Sequence, residues 1–305
     1  MQRLVFLLSY PFLWGLSRLP FRLLYMVSDL VRFLVYRVIR YRRKVVRENL
    51  LLVFPEKTPE ERKEIERKFY VHLCDMFLEM IKTMGTSQEE LQRRFVYPSL
   101  EVLERFENQN RSIMLLYPHY ASWEWTMTLD PHVRGKGYAI YQPIKNKYFD
   151  RWIRDVREKL GTTLIPTRET KNVVAQNKKS GQLATYAILS DQSPMAMKAK
   201  YWAPFMGTVV PMHIGPESLC KRLDLPAVYL RVRKLRRGYY EGSFVVLAEN
   251  PSEVPDYEIT DAFFKEVEKS VLEAPEYYFW THKRWKHRDK VPSSQVASRK
   301  AGSDS

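Results

Sequence analysis

Glycine is scarce in this chain, 11 of 305 residues, cysteine is scarcer at two, and no uncharged apolar run approaches the roughly twenty residues that a bilayer crossing needs. Each shortage removes a class. No glycine-rich loop is placed to cradle a phosphate, so nothing suggests nucleotide chemistry. Cys74 and Cys220 both sit in apolar helical patterns, which reads as two core thiols in a reducing compartment and not as a disulfide. No Cys/His cluster has zinc spacing, and no metal or cofactor is expected. Acidic residues are also short: 35 Asp and Glu against 50 Lys and Arg leave a charge of +15. That excess suits a polyanionic partner, whether nucleic acid, an anionic membrane or an acidic carrier protein.

The amino terminus favours the membrane. Leu4 to Ser17 is apolar and uncharged, and Phe21 to Ile39 is apolar with Arg22, Asp29, Arg32 and Arg37 interspersed. No small-residue cleavage pattern follows, which argues against a removed signal peptide. Arg40-Tyr41-Arg42-Arg43-Lys44 and then Arg47 come next, the basic flank expected beside an anionic leaflet. Residues 1–44 are therefore expected to form a membrane-associated helical segment, residues 45–290 the main domain, and the Ser/Lys/Gly-rich 291–305 a disordered tail.

Along the main domain, Thr58-Pro59-Glu60-Glu61 starts a helix with a capping box and proline in the first turn, and the helix ends near Gly85. Strands are expected near 112–117, 138–142, 163–165, 183–189, 227–233 and 243–247. Helices are expected near 123–129, 149–160, 171–177 and 212–223, with Thr260 capping a last helix through Leu272. Arg236-Arg237-Gly238 reads as a hairpin turn. Such alternation predicts an α/β fold, a mixed, largely parallel central sheet flanked by helices.

One stretch carries the chemistry. The apolar run Ser112–Tyr117 ends at Pro118, then come His119 and, five residues on, Glu124. Helical positions i and i+5 lie about 140° apart, so the two can meet only if His119 is in the turn and Glu124 in the first helical turn. In that arrangement the carboxylate holds one imidazole nitrogen and leaves the other to accept a proton, as a general base does. Ser190-Asp191-Gln192 follows the best buried-strand candidate, which puts Asp191 on the same rim as His119. Phe205-Met206-Gly207 is compatible with a tight turn near a ligand, and Arg157 lies on a helix reaching Gly161. From Pro275 to Lys286 aromatics alternate with bases, which beside an apolar amino terminus favours a membrane interface over nucleic acid.

Taken together, His119-x4-Glu124, Asp191-Gln192, Phe205-x-Gly207, Pro275…Trp280-x-His282-x-Arg284-Trp285 and, upstream, Arg47-Glu48-Asn49-Leu50…Phe54-Pro55 with Glu79 resemble the late, secondary lauroyl/myristoyl acyltransferase family of lipid A biosynthesis. The likeness spans roughly residues 20 to 288. It implies a glycerolipid-acyltransferase-like fold at the cytoplasmic face of the inner membrane. The implied activity moves an acyl chain from acyl carrier protein or acyl-CoA to a hydroxyl of a lipid A precursor. His119 would be the base oriented by Glu124. Arg157 would stabilise the oxyanion or bind phosphate, and Asp191, Phe205 and Gly207 would contact substrate. Tyr117-Pro118 stands where the enterobacterial pattern commonly has a small residue, which bears on donor and acceptor and not on the reaction. Two further readings are an acyltransferase for another lysolipid or glycolipid, and a non-catalytic basic protein that binds membranes or nucleic acid.

Overall fold

The computed structural model describes residues 2–292. Seven strands form the central sheet in the order β1-β9-β8-β2-β5-β3-β4. They are β1 (Phe95–Val96), β2 (Ile113–Tyr117), β3 (Lys136–Tyr141), β4 (Thr163–Pro166), β5 (Ala184–Leu189), β8 (Ala227–Arg236) and β9 (Tyr239–Ala248). All neighbours are parallel except β8 and β9, joined antiparallel across the expected turn at Gly238, whose φ is +73°. A separate hairpin pairs β6 (Trp202–Phe205) with β7 (Thr208–Pro211). Its turn needs positive φ at Met206 and Gly207, 49° and 75°, which explains the glycine without any ligand. β1, β6 and β7 are too short or too proline-rich to be read as strands from pattern alone. The tail expected to be disordered from 291 onward falls almost wholly outside the described residues.

The helices are α1 (Gln2–Arg18), α2 (Phe21–Phe33), α3 (Arg43–Val53), α4 (Pro59–Lys82), α5 (Gln88–Arg94) and α6 (Glu101–Asn108). After these come α7 (Lys147–Glu158), α8 (Thr170–Ser180), α9 (Gly215–Leu223) and α10 (Glu258–Glu273). Thr58 caps α4 with both bonds of the capping box. Thr260 caps nothing: α10 begins two residues earlier, and the Thr260 hydroxyl donates to Glu217. The segment expected as a helix near 123–129 is a 3-10 helix, Trp123–His132, that returns from the end of β2 to the start of β3.

α1 and α2 dock on α4. Ser28 donates to buried Asp75 at 2.7 Å, and Lys82 donates to the Ser17 carbonyl at 2.7 Å. Their outer faces stay apolar: Leu8 is 73 % exposed and Phe12 67 %. Among the described residues no helix is long and apolar enough to cross a membrane. The basic flank is only partly outward, because Arg43 and Arg47 both pair with buried Glu66 at 3.0 and 2.8 Å.

The carboxyl-terminal aromatic–basic run corrects its sequence reading. Tyr278, Trp280, Arg284 and Trp285 are buried, and Trp285 stacks on Phe205. Interleaved aromatics and bases here build core. This stretch is also tied to the strand end that carries His119. The Ala121 amide donates to the Tyr277 carbonyl at 3.0 Å, and the Phe279 amide donates to the His119 carbonyl at 3.2 Å.

Candidate active site

β2 and β5 are adjacent and parallel, with Tyr117 opposite Leu189. His119 and Asp191 each lie two residues past those partners, so the register alone sets them side by side at the carboxyl rim of the sheet. The Asp191 Oδ1 accepts from the His119 ring Nδ1 at 2.7 Å and from the His119 backbone amide at 3.0 Å. With Nδ1 donating, Nε2 presents a lone pair, and the Gln192 amide nitrogen lies 3.2 Å from it. Trp123 meets the imidazole edge-on, with ring centroids 5.3 Å apart, and Phe279 stacks on it at 5.9 Å. Burial alone would raise the Asp191 carboxyl. The facing His119 and its two hydrogen bonds outweigh burial and hold it below the usual carboxylate range.

Glu124 has a different partner from the one expected. Arg157 grips it with both arms, Nη2 donating at 2.7 Å and Nε at 3.0 Å, and the Trp123 indole donates at 3.2 Å. The imidazole is held by Asp191, so the expectation that Glu124 orients it is corrected. Geometry explains the swap: the 3-10 turn beginning at Trp123 directs Glu124 towards α7. Desolvation opposes the charge on Arg157, yet the carboxylate of Glu124 more than compensates and keeps it protonated.

His119, Glu124 and Arg157 still share one cavity of about 520 Å³. Its walls are largely apolar, with Leu115, Met127, Ile140 and Leu189 among them. The volume lies within the range of small-molecule sites. Gln192 lines it too; the sequence carried it in the Asp191-Gln192 motif without giving it a role of its own. His213 is on the wall as well. His282 accepts from the Ser193 amide at 3.2 Å, and burial pushes its ring down to about 4, so it stays neutral at physiological pH. Phe205 and Gly207, expected as substrate contacts, are away from this cavity. Phe205 is buried against Trp285, whose indole donates to its carbonyl, and Gly207 is the hairpin turn.

The arrangement can remove a proton from a hydroxyl at Nε2, hold the resulting imidazolium against a carboxylate, and place a cation beside a developing negative charge. The pattern of the bacterial lipid A biosynthesis acyltransferase family matches residues 1–287. The lipid A biosynthesis palmitoleoyltransferase of Escherichia coli strain K12 is 25 % identical over 288 residues, 92 % of this chain and 91 % of that one. The lauroyltransferase of the same strain matches to the same extent. A lipid A biosynthesis acyltransferase of Haemophilus influenzae is 22 % identical over 275 residues, 88 % of this chain and 83 % of that one.

Proposed function

The chain belongs to the bacterial lipid A biosynthesis acyltransferase family and is an acyltransferase, and from that premise we propose how it works and on what. It transfers a fatty acyl chain from a thioester, on acyl carrier protein or coenzyme A, to a hydroxyl of a lipid A precursor at the cytoplasmic face of the inner membrane. The observation that carries this reading is the His119–Asp191 pair at the mouth of an apolar cavity that also holds Arg157.

In the reaction, the acceptor hydroxyl displaces the Gln192 amide from Nε2 and gives its proton to that nitrogen. The oxygen attacks the thioester carbonyl, and the electron pair of the C=O bond moves to oxygen. Arg157, charged and lining the cavity, lowers the energy of that oxyanion. Collapse re-forms the carbonyl and breaks the C–S bond, and the thiolate takes back the proton from Nε2. Asp191 steadies the imidazolium in between. Glu124 contributes by fixing Arg157. No covalent acyl-enzyme is needed. Purified protein, isotopically labelled acyl thioesters and a panel of lipid acceptors test the assignment by mass spectrometry. Labelled ester on a lipid A precursor is expected; label confined to lysoglycerolipids or other glycolipids would assign a different acceptor.

The charge of +15 fits an acidic carrier protein and a phosphorylated acceptor among anionic lipids. α1 measures about 26 Å at 1.5 Å per residue, below the ~30 Å hydrocarbon thickness, and carries Pro11 within it. We assign α1 and α2 to an in-plane position, with Leu8, Phe12 and neighbouring side chains in the interface. Sedimentation with vesicles containing anionic lipid should capture the protein, and the double change Leu8→Asp and Phe12→Asp should weaken capture by about tenfold or more. Equal capture of the variant would remove the helices from this role.

A further inference from the structure

A central strand covered on both faces ordinarily carries bulky apolar residues. Below Tyr141 and Leu189 at the rim, one face of β3 and β5 does not. Register pairs Gly137 with Thr185 and Ala139 with Ala187, and β2 adds Leu115 beside Ala187. Side chains alternate along a strand, so these residues share one face. Ala139 and Ala187 remain partly open although β3 and β5 each have a paired strand on both sides. They are open because they line the cavity that begins at His119. Lack of bulk therefore carves a channel down the sheet, from its carboxyl rim towards its amino end. The 3-10 segment Trp123–His132 forms the opposite wall, running back along that length.

The channel meets Asp130 at its far end. Asp130 lines the same cavity, and its carboxylate accepts from the Thr162 hydroxyl just before β4. It sits against Gly137, where an added Cβ would collide with the carboxyl oxygens. Glycine at 137 makes room for this group. Burial pushes the carboxyl up to about 6.

We propose that Asp130, seated on Gly137, is the floor that sets the length of the acyl chain this enzyme accepts from its donor. The inference rests on the acyl-transfer reading above and names a specificity-determining residue within it. Two independent spans give the depth. From the level of Thr185 to that of Leu189 is four residues, about 13 Å at ~3.3 Å each. From Trp123 to Asp130 is seven residues of 3-10 helix, about 14 Å at ~2.0 Å each. An extended hydrocarbon with C–C bonds of about 1.5 Å advances roughly 1.3 Å per methylene. The channel thus takes about ten to eleven such steps, a chain of roughly eleven to twelve carbons. Each methylene buried up to that point strengthens binding about fourfold. The next one would press on the carboxyl and desolvate it further.

The test gives the full chain thioesters of 8 to 18 carbons on one carrier, with one acceptor, and reads product by mass spectrometry. The wild type should prefer about twelve carbons over sixteen by roughly tenfold or more. Asp130→Ala should move the optimum about two carbons longer. Asp130→Ser, which keeps a bond to Thr162 in less volume, serves if the alanine variant does not fold. Ala187→Leu, which fills the channel midway, should move the optimum at least two carbons shorter. Folded Asp130 variants whose length profile matches the wild type overturn the floor, whether or not Ala187→Leu shifts it, and leave the acyl-transfer reading standing. A wild type that transfers no chain of any length overturns that reading instead.

Discussion

Asp191→Asn should lower kcat by about 10³–10⁴-fold while leaving KM close to that of the wild type. The carboxylate accepts both from the His119 ring Nδ1 and from the His119 backbone amide, and so fixes one tautomer with Nε2 free to receive a proton. An asparagine keeps the shape but can offer its own N–H to the ring. The ring proton then moves to Nε2, where it blocks the acceptor hydroxyl, and no anion remains to stabilise the imidazolium. Steady-state kinetics check this, and the matching change Glu124→Gln separates the two acids. Glu124 touches Arg157 and Trp123, so its replacement should cost less in kcat. It should destabilise the fold by about 3 kcal/mol, because the mostly buried Arg157 loses its charged partner. Equal kinetic losses from both variants would put Glu124 back beside the imidazole.

The same carboxyl has a pH signature. Its folded-state pKa lies below the ordinary value, because His119 and the hydrogen bonds outweigh burial. In the unfolded chain it takes up its proton first as acid is added. Its contribution to stability is therefore present above the ordinary carboxylate pKa and is lost as pH falls through the folded value. Denaturant midpoints measured from pH 6 downward should fall less steeply for Asp191→Asn than for the wild type.

The sheet was legible in the sequence wherever a strand is central and fully apolar. The runs ending at Tyr117 and Leu189 announce themselves by composition and by the turn residues after them. Very short or proline-bearing strands were not legible, although edge strand β4 was: β1 is two residues long, and β6 and β7 carry Pro204 and Pro211. His119 and Asp191 could both be placed on the rim, but their pairing could not. It depends on β2 and β5 being neighbours although 66 residues separate the end of one from the start of the other, and spacing along the chain holds no trace of that adjacency. Glu124 misled for the converse reason, since nearness in sequence suggested contact while the 3-10 turn carried its carboxylate to Arg157. The Pro275–Lys286 run shows the limit of composition: its aromatics and bases alternate as at an interface, yet Arg284 is buried with its Nη1 on the Pro211 carbonyl at 3.1 Å. Asp130 carried no sequence signal. Its meaning comes from Gly137, whose missing side chain is visible only once β3 is beside the 3-10 segment.

His119→Ala tests the central claim most directly. General-base assistance is worth about 10²–10⁴-fold, and removing the member of a constellation on which the others depend forfeits nearly all of it. The imidazole occupies the rim of the cavity and is not part of the core, with its side chain 18 % exposed, so alanine there should leave the fold intact. The measurement is the single-turnover rate of ester formation from a labelled acyl thioester, wild type beside variant, with circular dichroism confirming that both are folded. The account predicts a rate at least about a thousandfold lower for His119→Ala, with donor binding unchanged. A folded variant forming the ester at the wild-type rate would contradict it.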